Sequence, residues 1–326
     1  MSISMFTLGG TIAMVEEDGS VTRLTGAELL SAVPGLSTIG TGVDVRDLDA
    51  IPSADLTFRG VLDVVAAAEQ AVANGATGVV ITQGTDTLEE SAFLADLVWP
   101  HSEPLVFTGA MRNPKLAGPD GPANVLAAAR VAAAGPARGH GVLVVFADDV
   151  HAARWVRKTH STSIATFASP DAGPIGHVIE DRVRILATPL DRAPTVTSSE
   201  LTDIDTARVG LYTVVLDDDG ALLRLVPDTY QGLVVSAFGV GHVPSWLAPT
   251  LGELAEYMPV VLSSRTGSGA VLAGTYYAVG SETDLARRGL INGGLLHPYK
   301  ARVLLRGLIA AGRSRAEIAE CFARFS

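Results

Sequence analysis

The chain of 326 residues has one cysteine, Cys321, and three lysines. A lone cysteine excludes an intramolecular disulfide and a cysteine-built zinc site, and it suits a reducing compartment. Basic blocks are absent and the net charge is −11. That balance argues against nucleic acid or an anionic membrane as the main partner. No stretch approaches the roughly 18 uninterrupted apolar residues of a membrane helix. The most alanine-rich segments, Val64–Ala73 and Ala127–Ala134, are short and interrupted by Glu69, Gln70 and Arg130. The first ten residues, MSISMFTLGG, carry neither a basic segment nor a signal-length apolar run nor a small-residue cleavage site. A soluble, cytoplasmic protein with no membrane partner is the expectation.

Hydrophobic residues make up 48% of the chain and charged ones 18%, the balance of a packed globular protein. Its length exceeds what one core usually supports, so two domains are expected. Short β-branched runs (Ile3–Leu8, Val43–Asp47, Gly78–Thr82, Pro104–Thr108, Gly141–Phe146) alternate with helical patterns (Phe58–Asn74, Thr87–Val98, Ala123–Ala134). This alternation predicts an α/β fold with a mainly parallel sheet flanked by helices. The pattern lapses from Thr188, and 189–207 reads as a linker between residues 1–188 and 208–326. A smaller C-terminal α/β domain then follows, with strands at Val209–Leu216, Gly232–Ser236 and Pro259–Ser263 and helices at Leu222–Leu225 and Leu247–Tyr257. It closes on a helix from Lys300 to Ala311 that extends toward Phe325.

In parallel sheets ligands sit beyond the carboxyl ends of the strands. There the sequence places LGGTIA (Leu8–Ala13), IPSAD (Ile51–Asp55), TQGTDT (Thr82–Thr87), TGAMR (Thr108–Arg112) and SAFGVGH (Ser236–His242). Glycine lets backbone approach a ligand closely, and four of the five segments have it. The bland reading of these residues is helix capping. Asp86 or Thr87 followed by Glu89 and Glu90 suits a helix start, and Thr11 after two glycines could cap in the same way. A phosphate loop is disfavoured, because LGGT has neither G-x-G-x-x-G spacing nor a following lysine. No G-x-S-x-G elbow occurs. The seven histidines are scattered, so no metal and no cofactor is expected; Asp148, Asp149 and His151 read as a solvated loop. What remains is hydroxyl chemistry without histidine. A threonine hydroxyl needs a neighbour to take its proton, and a neutral lysine such as Lys158 can do so.

Together these segments resemble the bacterial-type L-asparaginase family over essentially the whole chain. LGGTIA resembles its first signature and TQGTDTLEES its second. GAMRNPKLAGPDGPANVLAAA, SSRTGSG and HPYKARVLL resemble further blocks. The resemblance implies an amidohydrolase converting asparagine to aspartate and ammonia, with Thr11 as nucleophile. It further implies that Thr85, Asp86 and Lys158 form a hydroxyl–carboxylate–lysine constellation. Gly10, Ser53 and Gly84 with Thr85 would hold the substrate α-carboxylate, and Asp86 would pair with its ammonium. The Ala110 carbonyl would accept from the side-chain amide, and the Thr85 N–H would stabilise the oxyanion. Glu282, eighteen residues before Lys300, and His242 would complete the substrate site. In the family this glutamate comes from a neighbouring subunit, which implies a homodimer or homotetramer.

The chain also departs from the family pattern. Met14–Thr25 has no tyrosine, where many members carry one beside the nucleophile; Tyr276 and Tyr277 are conceivable substitutes. Gln83 stands where histidine is commoner, Ala54 where an amide or acid helps bind the ammonium, and His242 where asparagine is frequent. The reading therefore keeps alternatives open: a glutamine or N-modified asparagine substrate, an ammonia-supplying amidotransferase subunit, or an amino-acid-binding homologue with weakened catalysis.

Overall fold

A computed structural model of the chain describes residues 2–17, 20–48, 51–188 and 195–325. They form two compact units, dividing at residue 195. The first six of the expected linker residues, 189–194, lie outside the described residues. The rest, 195–207, pack with the second unit through buried Val196, Leu201 and Ile204, and Thr197 and Glu200 form a capping box there.

In the first unit the strands are β1 (Ser2–Thr7), β2 (Met14–Glu17), β3 (Ser20–Arg23), β4 (Gly42–Asp47), β5 (Ala76–Thr82), β6 (Leu105–Thr108) and β7 (Val142–Phe146), then β8 (Asp149–Ala152), β9 (Arg157–Lys158), β10 (Phe167–Ala168), β11 (Gly176–Ile179) and β12 (Arg182–Ile185). Its helices are α1 (Gly26–Ser31), α2 (Phe58–Ala73), α3 (Leu88–Val98) and α4 (Gly121–Ala133). The main sheet runs β12-β11-β8-β7-β6-β5-β1-β4, parallel from β7 to β4. Val79, Val80 and Ile81 are completely buried, as strands covered on both faces must be. Helix α4 lies on the face of Ile3, Met5, Val80, Val106 and Leu143, together with Leu29 of α1. At Gly78 the approach is so close that a Cβ would fall 2.0 Å from the Ala132 carbonyl oxygen, so only glycine fits. Helices α2 and α3 pack on each other and on β5–β7.

Strand alternation puts Val79, Ile81 and Phe107 on the face away from α4. Consecutive connections β5-α3-β6 and β6-α4-β7 therefore step the same way with helices on opposite faces. The crossover through α4 has the hand opposite to the others. With those others right-handed, as nearly all such connections are, it is left-handed.

Two local expectations change. The segment after Thr11 is no plain loop: Met14 pairs with Arg23 and Glu17 with Ser20 in an antiparallel hairpin. Nor is Asp148–His151 a solvated loop. Ala147 and Asp148 turn the chain with positive φ, and Asp149–Ala152 forms β8, which runs antiparallel to β7. His151 is buried there, 3.0 Å from Ser169 Oγ.

The second unit is a four-stranded parallel sheet in simple order: β13 (Val209–Thr213), β14 (Gly232–Ala237), β15 (Val260–Ser264) and β16 (Ile291–Asn292). It carries α5 (Val226–Thr229), α6 (Ala248–Tyr257), α7 (Glu282–Arg287), α8 (Pro298–Ala310) and α9 (Arg315–Ala323). The expected long closing helix is two helices. Gly312 takes φ +67°, and the Ser314–Glu317 capping box starts α9 afresh. Among the described residues no helix is long and apolar enough to cross a membrane.

Candidate active site

Chain order across the parallel core of the first unit is second-first-third-fourth-fifth strand. The order reverses between β1 and β5, and at such a switch point the loops leaving neighbouring strands diverge and open a crevice. Those two loops are LGGT and TQGTDT. Gly9 and Gly10 leave β1 at φ +83° and +90°, and a Cβ on Gly10 would lie 2.4 Å from both Cα and N of Gly84. A Cβ on Gly84 would meet Ser53 Oγ at 2.7 Å, and one on Gly109 the Gln83 carbonyl at 2.4 Å. Loops after β1, β5 and β6 thus touch backbone to backbone, and the Ser53 side chain of the loop after β4 lies against bare Gly84, approaches that only glycine permits.

Neither Thr11 nor Asp86 caps a helix. Thr11 is the first residue of a short 3-10 turn whose cap position is Gly10, and no described residue hydrogen-bonds to its hydroxyl. Asp86 precedes α3 but makes no bond to it. Its Oδ1 accepts from Lys158 Nζ at 3.0 Å and its Oδ2 from Ser53 Oγ at 3.3 Å. Lys158 Nζ also reaches Thr85 Oγ1 at 2.9 Å. Lys158 comes from the small β9–β10 hairpin, paired with Phe167, whose ring packs 4.3 Å from Phe146 at the end of β7. The carboxylate of Asp86 is 68% exposed while the Lys158 side chain is 18% exposed. So open an ion pair adds little stability, and the carboxylate is left free to meet a cationic ligand. Among the described residues nothing accepts from the Thr85 N–H and nothing donates to the Ala110 carbonyl. The structure thus brings Gly10, Ser53, Gly84, Thr85, Asp86 and Lys158 into one network.

In the second unit His242 follows β14 and Glu282 opens α7. Glu282 Oε2 lies 3.1 Å from His242 Nε2, and Oε1 accepts the N–H groups of Thr275 and Tyr276 at 2.9 and 2.7 Å. Burial pushes the carboxyl pKa up, but those two backbone donors, with His242, outweigh it and leave it below the ordinary glutamate value. Its side chain is 1% exposed and that of His242 37%. Within its own unit the Glu282 carboxylate thus accepts from two backbone groups and lies against the more exposed His242. Tyr276 packs edge-on against His242 at 4.9 Å. Among the described residues no three His, Cys, Asp or Glu side chains are grouped to hold a metal.

Residues 2–191 match the family model described as "Asparaginase, N-terminal", and 208–322 match "Glutaminase/Asparaginase C-terminal domain". The chain belongs to the asparaginase family. A "Probable L-asparaginase" of Deinococcus radiodurans is 36% identical, over 98% of this chain and 96% of that one. "L-asparaginase 2" of Escherichia coli is 32% identical, over 99% and 93%. A crystal structure of a "Probable Cytoplasmic L-asparaginase" from Campylobacter jejuni superposes with a TM-score of 0.88 at 29% identity, covering 99% of each chain.

Two buried residues of this asparaginase-family site went unnoticed in the sequence. Asp120 accepts the Met111 and Arg112 N–H groups at 2.9 Å, and Asn124 Nδ2 donates to the Gly109 carbonyl at 3.0 Å. Asn124 Oδ1 accepts from Ala147 N at 3.0 Å, so one side chain ties the loop after β6 to the turn after β7. Between those anchors sits Ala110. The only local signal was an Asp-Gly-Pro run, which reads as an ordinary helix start.

Proposed function

We propose that this chain hydrolyses the side-chain amide of L-asparagine to L-aspartate and ammonia, with Thr11 as nucleophile. The observation that carries the reading is the convergence of Lys158, Thr85, Asp86 and Ser53 beside Gly10 at the switch point, in a chain whose relatives are named L-asparaginases. The Thr11 oxygen attacks the amide carbon and its proton is passed on to the leaving nitrogen; ammonia departs, and water then cleaves the acyl-threonine ester to release the acid and restore the hydroxyl. Lys158 and Thr85 are the pair that handles protons, and the unoccupied Thr85 N–H faces the developing oxyanion.

Substrate binding redistributes one proton at Ser53. The Ser53 hydroxyl now donates weakly to Asp86 Oδ2 and accepts from Asp86 N, both at 3.3 Å. A substrate α-carboxylate takes that donation, and the released Oδ2 accepts the substrate ammonium. An N-modified asparagine is the second reading. Ala54 supplies no polar side-chain group, so within the first unit amine recognition rests on Asp86. A homodimer or homotetramer with Glu282 contributed across the interface, and a cytoplasmic location, belong to the same proposal.

Ammonia release is measured with L-asparagine, D-asparagine, L-glutamine and N-acetyl-asparagine, for wild type and Thr11→Ala. Release from L-asparagine that vanishes in the variant supports the proposal. Equal rates in both proteins overturn the nucleophile.

A further inference from the structure

Thr87 occupies the cap position of α3 but does not cap it. Its hydroxyl instead donates to the Ser53 carbonyl oxygen at 2.7 Å. A carbonyl can only accept, so the single Thr87 proton is committed there. Thr87 Oγ1 can then only accept from Gln83, 3.3 Å away, which fixes the orientation of that amide: Nε2 faces Thr87 and also reaches Ser91 Oγ at 3.1 Å. The opposite end, Gln83 Oε1, is buried and has no donor among the described residues. Two local costs are thus accepted, an uncapped helix and an unpaired buried oxygen, and both serve to hold one carbonyl.

That carbonyl belongs to the residue whose hydroxyl touches Asp86. We infer that Gln83 and Thr87 are positioning residues that set the Ser53 loop against the Thr85–Asp86 turn and so determine how tightly the amino-acid head group is held. This rests on the reading of Ser53 and Asp86 as head-group partners. Gln83 contacts no reacting atom. It acts by orienting the Thr87 hydroxyl, which a side chain unable to donate from that position cannot do. Loss of either link lets the short turn around Ser53 shift away from Asp86, and the Ser53–Asp86 contacts, already 3.3 Å long, break first.

The test compares wild type, Gln83→Leu, Thr87→Val, Thr87→Ser and the Gln83→Leu/Thr87→Val double variant. Two readouts are taken on folded protein: Kd for L-aspartate by calorimetry, and KM and kcat for ammonia release from L-asparagine. Gln83→Leu and Thr87→Val are each expected to raise Kd and KM about tenfold, the size of one lost hydrogen bond at a charged site, with kcat within about threefold. Thr87→Ser keeps the hydroxyl and restores wild-type Kd. The double variant is no weaker than Thr87→Val alone, because the two act in series. Unchanged Kd in both single variants, a kcat loss without a KM change, or additive effects in the double variant would overturn the inference. Wild type that binds L-aspartate without releasing ammonia defeats the hydrolase proposal and leaves the Kd series to decide this one. Wild type that neither binds nor hydrolyses defeats both.

Discussion

Lys158 Nζ stands 2.9 Å from Thr85 Oγ1, delivered from a hairpin seventy-three positions further along the chain. Among the described residues its only other partner is the exposed Asp86 carboxylate. So open a pair adds little stability, and in the proposed function Lys158 handles protons. Lys158→Met is expected to lower kcat about 10²–10⁴-fold. Lys158→Arg does not rescue it, since a guanidinium stays charged and cannot accept a proton. Steady-state ammonia release checks both, and a denaturant midpoint close to wild type separates the effect from unfolding.

Thr11 offers the cleanest separation of activity from stability. Its hydroxyl has no partner among the described residues and caps nothing, so Thr11→Ala is expected to change stability by less than about 0.5 kcal/mol, and under the proposed function to remove turnover. A stability loss above about 1 kcal/mol, the usual cost of a lost N-cap, would instead show a capping role.

Gly10→Ala tests the interlock of loops. The new Cβ would fall 2.4 Å from the Gly84 backbone at a φ of +90°. Neither backbone has a rotamer to move aside, so strain and crowding together are expected to cost about 2–4 kcal/mol. Urea unfolding followed with ammonia release should show both a lower midpoint and lost activity.

Glu282 makes the second unit acid-sensitive. Its folded pKa lies below the ordinary value of 4.5, so the folded state binds fewer protons than the unfolded state near that pH. The stabilisation is therefore present above the ordinary glutamate range and is lost as pH falls through the lowered folded pKa. Glu282→Gln should flatten this acid limb by lowering stability at neutral pH, with the two proteins converging at low pH. Denaturant titrations between about pH 3 and 7, the range that spans carboxylate titration, provide the check.

Much of the fold was legible because its signals are local. β-Branched runs, alanine-rich helical patterns and glycine-bearing loops mark β1, β5, α2 and α4 to within a residue or two. Gly312 and the Ser314–Glu317 box were also visible, yet the apolar spacing running from α8 toward Phe325 masked the break. The antiparallel edge of β8, β11 and β12 was missed. Those strands are four residues long each, joined by two or four pairs, and their identity comes from pairing partners rather than from their own composition. Thr87 read as a possible helix cap and Gln83 only as a departure from the commoner histidine, since a hydroxyl's direction depends on what lies opposite.

The sequence by itself determined the family, the α/β class, and which strand ends carry hydroxyls, carboxylate and glycine. Whether Thr11 and Asp86 cap helices was beyond it, because both readings use the same residues at the same spacing. Tertiary structure decided that question. Strand order puts the loops after β1 and β5 side by side, and bare glycine backbones let them touch. Phe167 on Phe146 anchors the hairpin that carries Lys158 to Thr85 and Asp86. Each of these contacts joins residues distant in the chain, and nothing in local propensity encodes which of them meet.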